Sequence, residues 1–340
     1  MNDLSFLEHI RGQRILIAAL NWGLGHAARC IPIIRKLEQN NAILIGSDGA
    51  ALELLIKEFP NTSYVKLPAY DIHYKSKHFV WGIFKQSPKL AKAISKEMSL
   101  TEDIVNQFKL TMIISDHRLG CRDKRIRSII IAHQLQVQAK LKIASTVGSH
   151  TNKFFINSFS ECWIPDYQQE NMRLAGSLSD HTGIKNYRYI GPISRMSPSN
   201  KNQEYDLAVV LSGPEPSRST LESKLYKRLQ SENLKICWVR GLEKPKSQDI
   251  FSKGDVVISM STASELNKII NHSKILIARS GYTTIMDVVR LNKQCILIPT
   301  LGQTEQEYLA SYLEGREGFH FIAEENLSNL SNTIRKLIID

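Results

Sequence analysis

The sequence predicts an α/β protein of two doubly wound, Rossmann-like domains that face a central cleft. Three observations carry this prediction: short apolar runs alternate with helical stretches, the alternation occurs twice, and a polar segment rich in Pro, Ser and Asn separates the two cycles. The chain has 340 residues, 42% hydrophobic and 23% charged, which is enough for two cores. We therefore predict an N-terminal domain over residues 1–190, a linker over 191–205 and a C-terminal domain over 206–340.

The first cycle opens with a strand, a helix and a second strand. Arg14–Leu20 is a nearly unbroken apolar run, as expected for a strand that is buried on both faces. Ala28–Gln39 follows with apolar residues at helical spacing, and the next apolar run is Ala42–Ile45. The further strands predicted in this half are Tyr64–Leu67, Thr111–Ser115, Ser128–Ala132 and Glu161–Ile164.

The second cycle repeats the alternation of strands and helices. Its predicted strands are Asp206–Leu211, Lys235–Val239, Val256–Met260, Lys274–Ala278 and Cys295–Pro299. In open parallel sheets ligands bind outside the carboxyl ends of the strands. The residues that directly follow these strands are therefore the candidates for a functional site.

The composition excludes several classes of protein. No run approaches the ~18 consecutive apolar residues of a membrane-spanning helix, and residues 1–13 hold no apolar signal core, so we expect a cytoplasmic protein. The five cysteines lie far apart without a C-x-x-C pair, which argues against a zinc site and against a disulfide framework.

The net charge of +11 is concentrated in the first half of the chain. Residues 1–195 hold 26 lysines and arginines against 16 acidic residues, whereas residues 196–340 hold 18 against 17. A basic surface attracts nucleic acid, anionic lipid or an acidic substrate. Nucleic acid is the least favoured partner, because no recognised binding motif is present.

A lysine-bearing helix in the basic half predicts contact with the inner face of an anionic membrane. Lys89, Lys92 and Lys96 share one face of a helix that is predicted to begin at Ser87. Trp81, Phe84 and the basic cluster Arg122–Arg127 would add to this surface. The alternative is a solvated lysine face over an ordinary core.

The opening loop Asn21–Arg29 (NWGLGHAAR) follows the first strand and begins a helix. Gly23 and Gly25 would let a ligand approach the backbone closely. At a helix start the dipole disfavours imidazolium, so His26 would be neutral and able to accept a proton. The alternative is a tight turn with a solvated histidine.

Two further strand ends of the first half carry candidate residues. Asp116 could orient His26 and stabilise it when protonated, although Asp at a strand end is also a common helix cap. His133 and Gln134 are candidates for the acceptor side of the site, with a structural role as the alternative.

Two loops of the second half are candidates for binding a diphosphate. Ser212 and Gly213 directly follow a strand. The loop offers few backbone donors, because Pro214 and Pro216 have no N–H, so Arg218 would have to add contacts. The alternative is an ordinary loop. The segment Arg279-Ser280-Gly281 would direct backbone N–H groups and a helix N-terminus toward the cleft. Asp287, further along that helix, could accept two hydrogen bonds from a ribose diol.

The segment Ala278–Ala310 resembles the nucleotide-sugar signature of the family 28 (MurG-like) glycosyltransferases. Gly23–His26 is similar to the glycine-rich loop of that family, and the W-G-x-G-H-x-x-R form is similar to a group of bacterial glycosyltransferase-like proteins. The resemblance implies the GT-B fold, a UDP-sugar donor held mainly by the C-terminal domain, and an acceptor bound by the N-terminal domain.

The resemblance also implies roles for single residues. It implies that Ser280 and Gly281 bind the diphosphate and that Asp287 binds the ribose. It also implies that Gln306 and Glu307 contact the donor sugar and that Thr262 and Ala263 lie near the uracil edge. Two positions depart from the family pattern. Asp287 is one methylene shorter than the family's glutamate, and Glu307 replaces an amide, which suggests a different donor sugar.

These observations support the hypothesis of an inverting, metal-independent glycosyltransferase, peripheral to the membrane. It would move a hexose or N-acetylhexosamine from a UDP-sugar to a hydroxyl acceptor of a lipid-linked or cell-envelope glycan, with His26 as base and Asp116 as its orienter. The two diphosphate loops, with Arg218 or Arg279, would receive the charge of the leaving UDP. No Asp-x-Asp motif is present, and no metal or other cofactor is expected.

Two alternatives to the transferase stay open. One is a UDP-sugar 2-epimerase, which would turn over the UDP-sugar without an acceptor. The other is a non-catalytic nucleotide- or glycan-binding protein of the same fold.

Overall fold

A computed structural model of the chain describes residues 4–70, 87–138, 141–199, 202–241, 251, 254–316 and 318–339. The chain divides into two compact units, Met1–Arg195 and Met196–Asp340. In each unit, the described residues form one parallel sheet with helices around it.

The sheet of the N-terminal unit has seven strands among the described residues. In chain order they are β1 (Arg14–Ala19), β2 (Ala42–Ser47), β3 (Ser63–Lys66), β4 (Met112–Asp116), β5 (Arg127–Ile131), β6 (Glu161–Ile164) and β7 (Tyr187–Tyr189). Their spatial order is β3-β2-β1-β4-β5-β6-β7, and every pairing is parallel. The chain order reverses between β1 and β4, which is where a doubly wound sheet opens a crevice for ligands.

Helices cover both faces of this sheet, because its central strand is apolar on both. The helices are α1 (Leu24–Leu37), α2 (Gly49–Glu58), α3 (Ser87–Phe108) and α4 (Lys142–Ile156), with short 3-10 helices at Ser5–His9, Glu170–Met172 and Gly176–Ser179. Ile15 and Ile17 of β1 pack in one core with α1, while Leu16 and Ala18 pack in a second core with α3.

The C-terminal unit repeats the architecture with six strands in the described part of the chain. They are β8 (Tyr205–Val210), β9 (Ile236–Val239), β10 (Val256–Ile258), β11 (Ser273–Ala278), β12 (Gln294–Leu297) and β13 (Phe319–Phe321), in the parallel order β10-β9-β8-β11-β12-β13. The helices are α5 (Ser217–Leu229), α6 (Ala263–Asn271), α7 (Tyr282–Leu291), α8 (Thr304–Leu313) and α9 (Leu330–Ile339), with a 3-10 helix at Glu324–Asn329. Here the chain order reverses between β8 and β11.

The predicted class of two doubly wound parallel sheets is confirmed, and each strand that the sequence predicted is present; Glu161–Ile164 has the predicted bounds, and the other strands have shifted ends. The apolar pattern of the sequence did not indicate β7 and β13. Both are three-residue strands at a sheet edge, too short to form an apolar run, and Tyr187 in β7 is exposed. Helix α1 begins at Leu24, earlier than the predicted Ala28.

None of the described helices is both long and apolar enough to cross a bilayer. Of the residues predicted to contact a membrane, Trp81 and Phe84 lie outside the described residues.

Candidate active site

The crevice between β1 and β4 of the N-terminal unit holds a histidine and an aspartate in contact. Ala19 and Asp116, the last residues of these two strands, are paired in the sheet, and α1 begins shortly after β1. His26 Nδ1 consequently lies 2.6 Å from Asp116 Oδ1. Asp116 is fully buried, whereas 16% of the His26 side chain is exposed. The structure thus brings together the two residues that the sequence analysis proposed as base and orienter.

The charge on Asp116 determines where His26 carries its proton. Burial raises the pKa of Asp116, but the charge of Arg29 and the hydrogen bonds that Arg29 and His26 donate outweigh burial and hold this pKa well below its usual range. A carboxylate only accepts hydrogen bonds, so His26 Nδ1 must donate and Nε2 holds the lone pair. Burial and the charge of Arg29 lower the pKa of His26, against the opposing effect of Asp116. Both effects favour the neutral imidazole, in which Nε2 is the basic atom.

Arg29 is a contact of this site that the predicted roles omit. It is 2% exposed, and its Nη2 donates to Asp116 Oδ1 at 2.5 Å while its Nε donates to Oδ2. Its Nη1 lies 3.2 Å from Nδ1 of His133, which is also buried. The i, i+3 spacing of His26 and Arg29 on one helix was the available signal, since such residues share a face.

His117 completes a group of three imidazoles with His26 and His133. The ring centroids of His117 and His26 are 5.7 Å apart, and those of His117 and His133 are 6.2 Å apart. His117 has a φ of 58°, and its buried Nδ1 has no hydrogen-bond partner in the described structure. Burial, with the charge of Arg29, holds the pKa of His117 well below its usual value.

Within the described ranges, His26, Asp116 and His117 are the group whose ligand atoms lie close enough to share a metal ion, all within 4.8 Å of one another. Both oxygens of Asp116 already accept hydrogen bonds from Arg29, however. A dication at this place would also stand next to the buried guanidinium, so the charges favour the hydrogen-bonded arrangement over a metal.

The remaining acceptor-side candidates surround the start of α1 and the end of β5. Gly23 precedes α1 with a φ of 91°, a conformation that L side chains rarely adopt, although a Cβ there would meet open space. Gly25 lies in the first turn of α1. Gln134 is half-buried, and its backbone carbonyl accepts a 2.8 Å hydrogen bond from Asn152 Nδ2.

A second buried arginine anchors the loop that leads into α1. Arg118 donates to Glu97 through Nε and to Asp48 through Nη1, each at 2.6 Å, and Asp48 in turn accepts from Asn21 Nδ2 at 3.1 Å. Arg118 and Glu97 are fully buried, so water does not solvate their charges, and the ion pair compensates them instead. This network holds Asn21, just before Gly23, in a defined position.

In the C-terminal unit, both predicted diphosphate loops follow the central pair of strands. Val210 and Ala278, the last residues of β8 and β11, are paired. Arg279 joins the two loops, because its Nη2 donates to the Ser217 carbonyl at 3.1 Å and to the Ser217 hydroxyl at 3.0 Å. Its Nη1 donates to the Pro299 carbonyl at 2.9 Å, which ties in the loop after β12.

Two helix N-termini begin at these loops. Pro216 precedes α5 and Gly281 precedes α7, and neither residue caps its helix with a side chain. Ser212 and Gly213 lie in the loop before α5, where Gly213 has a φ of 103°. Backbone N–H groups at such helix starts, together with the helix dipole, suit an anionic phosphate.

The two arginines predicted to face the diphosphate are both buried and engaged inside the unit. Arg218 contacts Glu215 at 2.5 Å, Glu222 at 3.5 Å and the Arg240 carbonyl at 3.1 Å. Arg279 pairs with Glu324 at 2.8 Å, and burial lowers its pKa in spite of that partner. These contacts indicate that both arginines position the loops, while direct contact with a phosphate stays a prediction.

The residues predicted to bind the donor sugar brace the loop after β12. Gln306 Oε1 accepts from the Thr300 N–H at 2.9 Å, and Glu307 Oε1 accepts from the Gly302 N–H at 2.7 Å. The hydroxyl of Ser280 donates to the Gln306 carbonyl at 2.8 Å, so the structure brings Ser280 and Gln306 together.

The remaining donor-side candidates lie on α6 and α7. Thr262 forms a reciprocal capping box with Glu265 at the start of α6, and Ala263 is the buried first residue of that helix. Asp287 lies in the second turn of α7 and is 7% exposed. Asp287 therefore lies on the helix that begins directly after Gly281, in the predicted diphosphate loop of Ser280 and Gly281.

The chain is similar to a known protein family in part of its C-terminal unit and to solved structures in its fold. Residues 217–339 match the sequence model of the glycosyltransferase family 28 C-terminal domain. No curated protein matches the sequence. The glycotransferase of kitacinnamycin is similar in structure with a TM-score of 0.67 and 10% identity, covering 97% of this chain and 92% of that chain.

Two further solved structures are similar over nearly the whole chain. A UDP-glucosyltransferase from Polygonum tinctorium capable of glucosylating indoxyl has a TM-score of 0.62 and 12% identity, covering 96% of this chain and 92% of that one. A spinosyn rhamnosyltransferase complexed with thymidine diphosphate has a TM-score of 0.64 and 9% identity, with the same coverage. The likeness confirms the predicted GT-B fold, and residues 217–339 of the chain are similar to a glycosyltransferase family 28 C-terminal domain.

Proposed function

We propose that the chain is an inverting, metal-independent transferase of a hexose or N-acetylhexosamine from a UDP-sugar to a hydroxyl acceptor of a lipid-linked or cell-envelope glycan. The observation that carries the proposal is the pair of His26 and Asp116, with Nδ1 2.6 Å from a buried carboxylate and Nε2 basic. An inverting transfer needs such a base, because the acceptor hydroxyl must lose its proton as it attacks.

In the proposed reaction, His26 Nε2 takes the proton of the acceptor hydroxyl as its oxygen bonds to the anomeric carbon of the sugar. The bond from that carbon to the phosphate oxygen of UDP breaks at the same time. Asp116 stabilises the imidazolium that forms. The N–H groups at the start of α7 and the loop of Ser212 and Gly213 receive the negative charge of the leaving diphosphate.

The C-terminal unit binds the rest of the donor in this proposal. Asp287 accepts hydrogen bonds from the ribose hydroxyls, while Gln306 and Glu307 shape the loop next to the donor sugar. Thr262 and Ala263 lie near the uracil edge. Arg218 and Arg279 act through the loops that they hold. Among the similar proteins, one is named as a UDP-glucosyltransferase and another is complexed with thymidine diphosphate, so UDP and dTDP are the nucleotides to compare.

The test is the fate of nucleotide-sugars incubated with the purified full chain in EDTA. UDP-hexoses, UDP-N-acetylhexosamines and the matching dTDP-sugars are supplied with water as the acceptor, and the products are followed by mass spectrometry and NMR. We expect slow release of UDP and free sugar at a rate that EDTA does not change. An epimerised UDP-sugar would identify a 2-epimerase, an intact sugar with bound UDP would identify a non-catalytic binding protein, and preference for dTDP-sugars would overturn the assignment of UDP.

We also propose that the N-terminal unit contacts an anionic membrane. Lys89, Lys92 and Lys96 are exposed on α3. On α4, which the sequence analysis did not single out, Ile143 is 80% exposed and Phe154 is 70% exposed. Residues 124–160 contain six lysines and arginines and no acidic residue. Exposed apolar side chains flanked by cations alone are the pattern of a helix that lies on an anionic lipid surface.

A double variant, Ile143→Ser with Phe154→Ser, is expected to lose about tenfold or more in binding to vesicles, because both apolar side chains leave the lipid. Cosedimentation with vesicles of phosphatidylcholine and phosphatidylglycerol measures this loss. Met172→Ser, which changes another exposed apolar residue of the same unit, is the control. Equal sedimentation with pure phosphatidylcholine, or an unaffected double variant, would contradict the proposal.

A further inference from the structure

Arg29 holds the Asp116 carboxylate along its whole edge. Its Nε donates to Oδ2 and its Nη2 donates to Oδ1, so the two side chains meet as a fork. A bidentate pair of this kind is specific in geometry as well as strong. The carboxylate therefore cannot turn, and Oδ1 stays in line to accept the Nδ1 proton of His26.

The same guanidinium offsets the charge that Asp116 presents to His26. In a bare pair of aspartate and histidine, the full carboxylate charge favours the imidazolium. Here Arg29 Nη2 lies 2.9 Å from His26 Nδ1. Both nitrogens donate toward Oδ1, so this contact sets two positive ends side by side and opposes a second proton on the ring.

The other groups around His26 add no negative charge. Asp116 comes from β4, Arg29 and the Cys30 thiol from α1, and His117 and His133 follow β4 and β5. Arg29 Nη1 also donates to Nδ1 of His133, which places the proton of a neutral His133 on its Nε2. Asp116 thus favours the proton of His26 on Nδ1, whereas Arg29 favours the proton of a neutral His133 on Nε2.

We propose that Arg29 is a positioning residue of the transfer reaction, which fixes the Asp116 carboxylate and offsets its charge so that His26 remains an unprotonated base in mildly acidic solution. The inference rests on the proposed function, in which His26 is the base. The lowered pKa of His26, caused by burial and by Arg29, agrees with it.

The test compares Arg29→Met with wild type in two measurements. The first is the pH dependence of UDP release from the UDP-sugar. The second is the NMR titration of the His26 ring, which needs no activity. Loss of the guanidinium charge is expected to raise the titration midpoint of His26 by about one pH unit or more, and to move the acid limb of the rate profile upward with it.

Three variants make the outcome specific. Arg29→Lys keeps the charge without the fork, so we expect a lower rate with a smaller shift in the midpoint. Arg29→Gln removes the charge but keeps a donor, and it replaces Arg29→Met if that variant does not fold. Arg35→Met, an exposed arginine of the same helix, is the control and should leave both measurements unchanged.

A His26 midpoint that stays at the wild-type value in folded Arg29→Met or Arg29→Gln would overturn the inference. If the wild type releases no UDP from any donor, the proposed function fails, yet the NMR titration still decides whether Arg29 sets the protonation of His26. The two failures are therefore distinguishable.

Discussion

Replacement of His26 by alanine is expected to lower the rate of UDP release by about two to four orders of magnitude. The variant loses the Nε2 lone pair that accepts the proton of the attacking hydroxyl, while Asp116 keeps its ion pair with Arg29. The buried charges thus stay paired, so the fold should survive the change. The measurement is the initial rate at saturating UDP-sugar, with the affinity for UDP determined by calorimetry on the same preparation.

The control for this prediction is His150→Ala. His150 is an exposed histidine of α4 whose Nδ1 bonds to the Thr146 carbonyl at 2.9 Å, and its loss should leave the rate unchanged. UDP affinity should also be unchanged in His26→Ala, because every residue proposed to bind the donor belongs to the C-terminal unit. A rate within about threefold of wild type would remove His26 from the mechanism. A parallel loss of UDP affinity would instead indicate a folding defect.

Replacement of Asp287 by alanine is expected to weaken UDP binding by about tenfold to a hundredfold. Hydrogen bonds to a charged group contribute about 1.5–3 kcal/mol, and the carboxylate is proposed to accept them from the ribose diol. Asp287 lies in the second turn of α7, and Gly281 at the start of the same helix lies in the loop proposed for the diphosphate. Calorimetric titration with UDP measures the loss.

A ligand without the 2′-hydroxyl separates this role from a structural one. Wild type should bind 2′-deoxy-UDP more weakly than UDP, whereas Asp287→Ala should bind the two nearly alike, which is the coupling that a double-mutant cycle detects. Asp206→Ala is the protein control. Asp206 lies near the start of β8, away from the predicted diphosphate loop that follows this strand, and it pairs with Lys274 at 2.8 Å. If wild type shows no binding at millimolar UDP, or if the variant retains full discrimination between the ligands, Asp287 is not the ribose ligand.

The fold could be predicted from the sequence because its signals are local. Strands such as Arg14–Ala19 are buried on both faces of a sheet, so they appear as apolar runs. The helices between them have apolar residues at helical spacing, and strands alternating with helices favour parallel sheets. The edge strands β7 and β13 carry neither signal, since they are short and only partly covered.

Part of the candidate site follows from topology. In a doubly wound sheet the residues after adjacent strands share one edge, so His26 after β1 and Asp116 at the end of β4 could be expected to meet. The same reasoning relates the loops after β8 and β11. It could not indicate that Arg279 would span these loops, because its partner Ser217 lies 62 residues away in the chain.

The fold class, the positions of most strands along the chain and the residues at the strand ends follow from the amino-acid sequence. The charge and pairing of those residues follow from the packing of the folded chain. Burial and the charge of Arg29 lower the pKa of His26, and Arg29 is itself paired with Asp116, which lies 87 residues away in the chain. Protonation and pairing depend on burial and on charges from distant segments, and the packed chain alone brings these together.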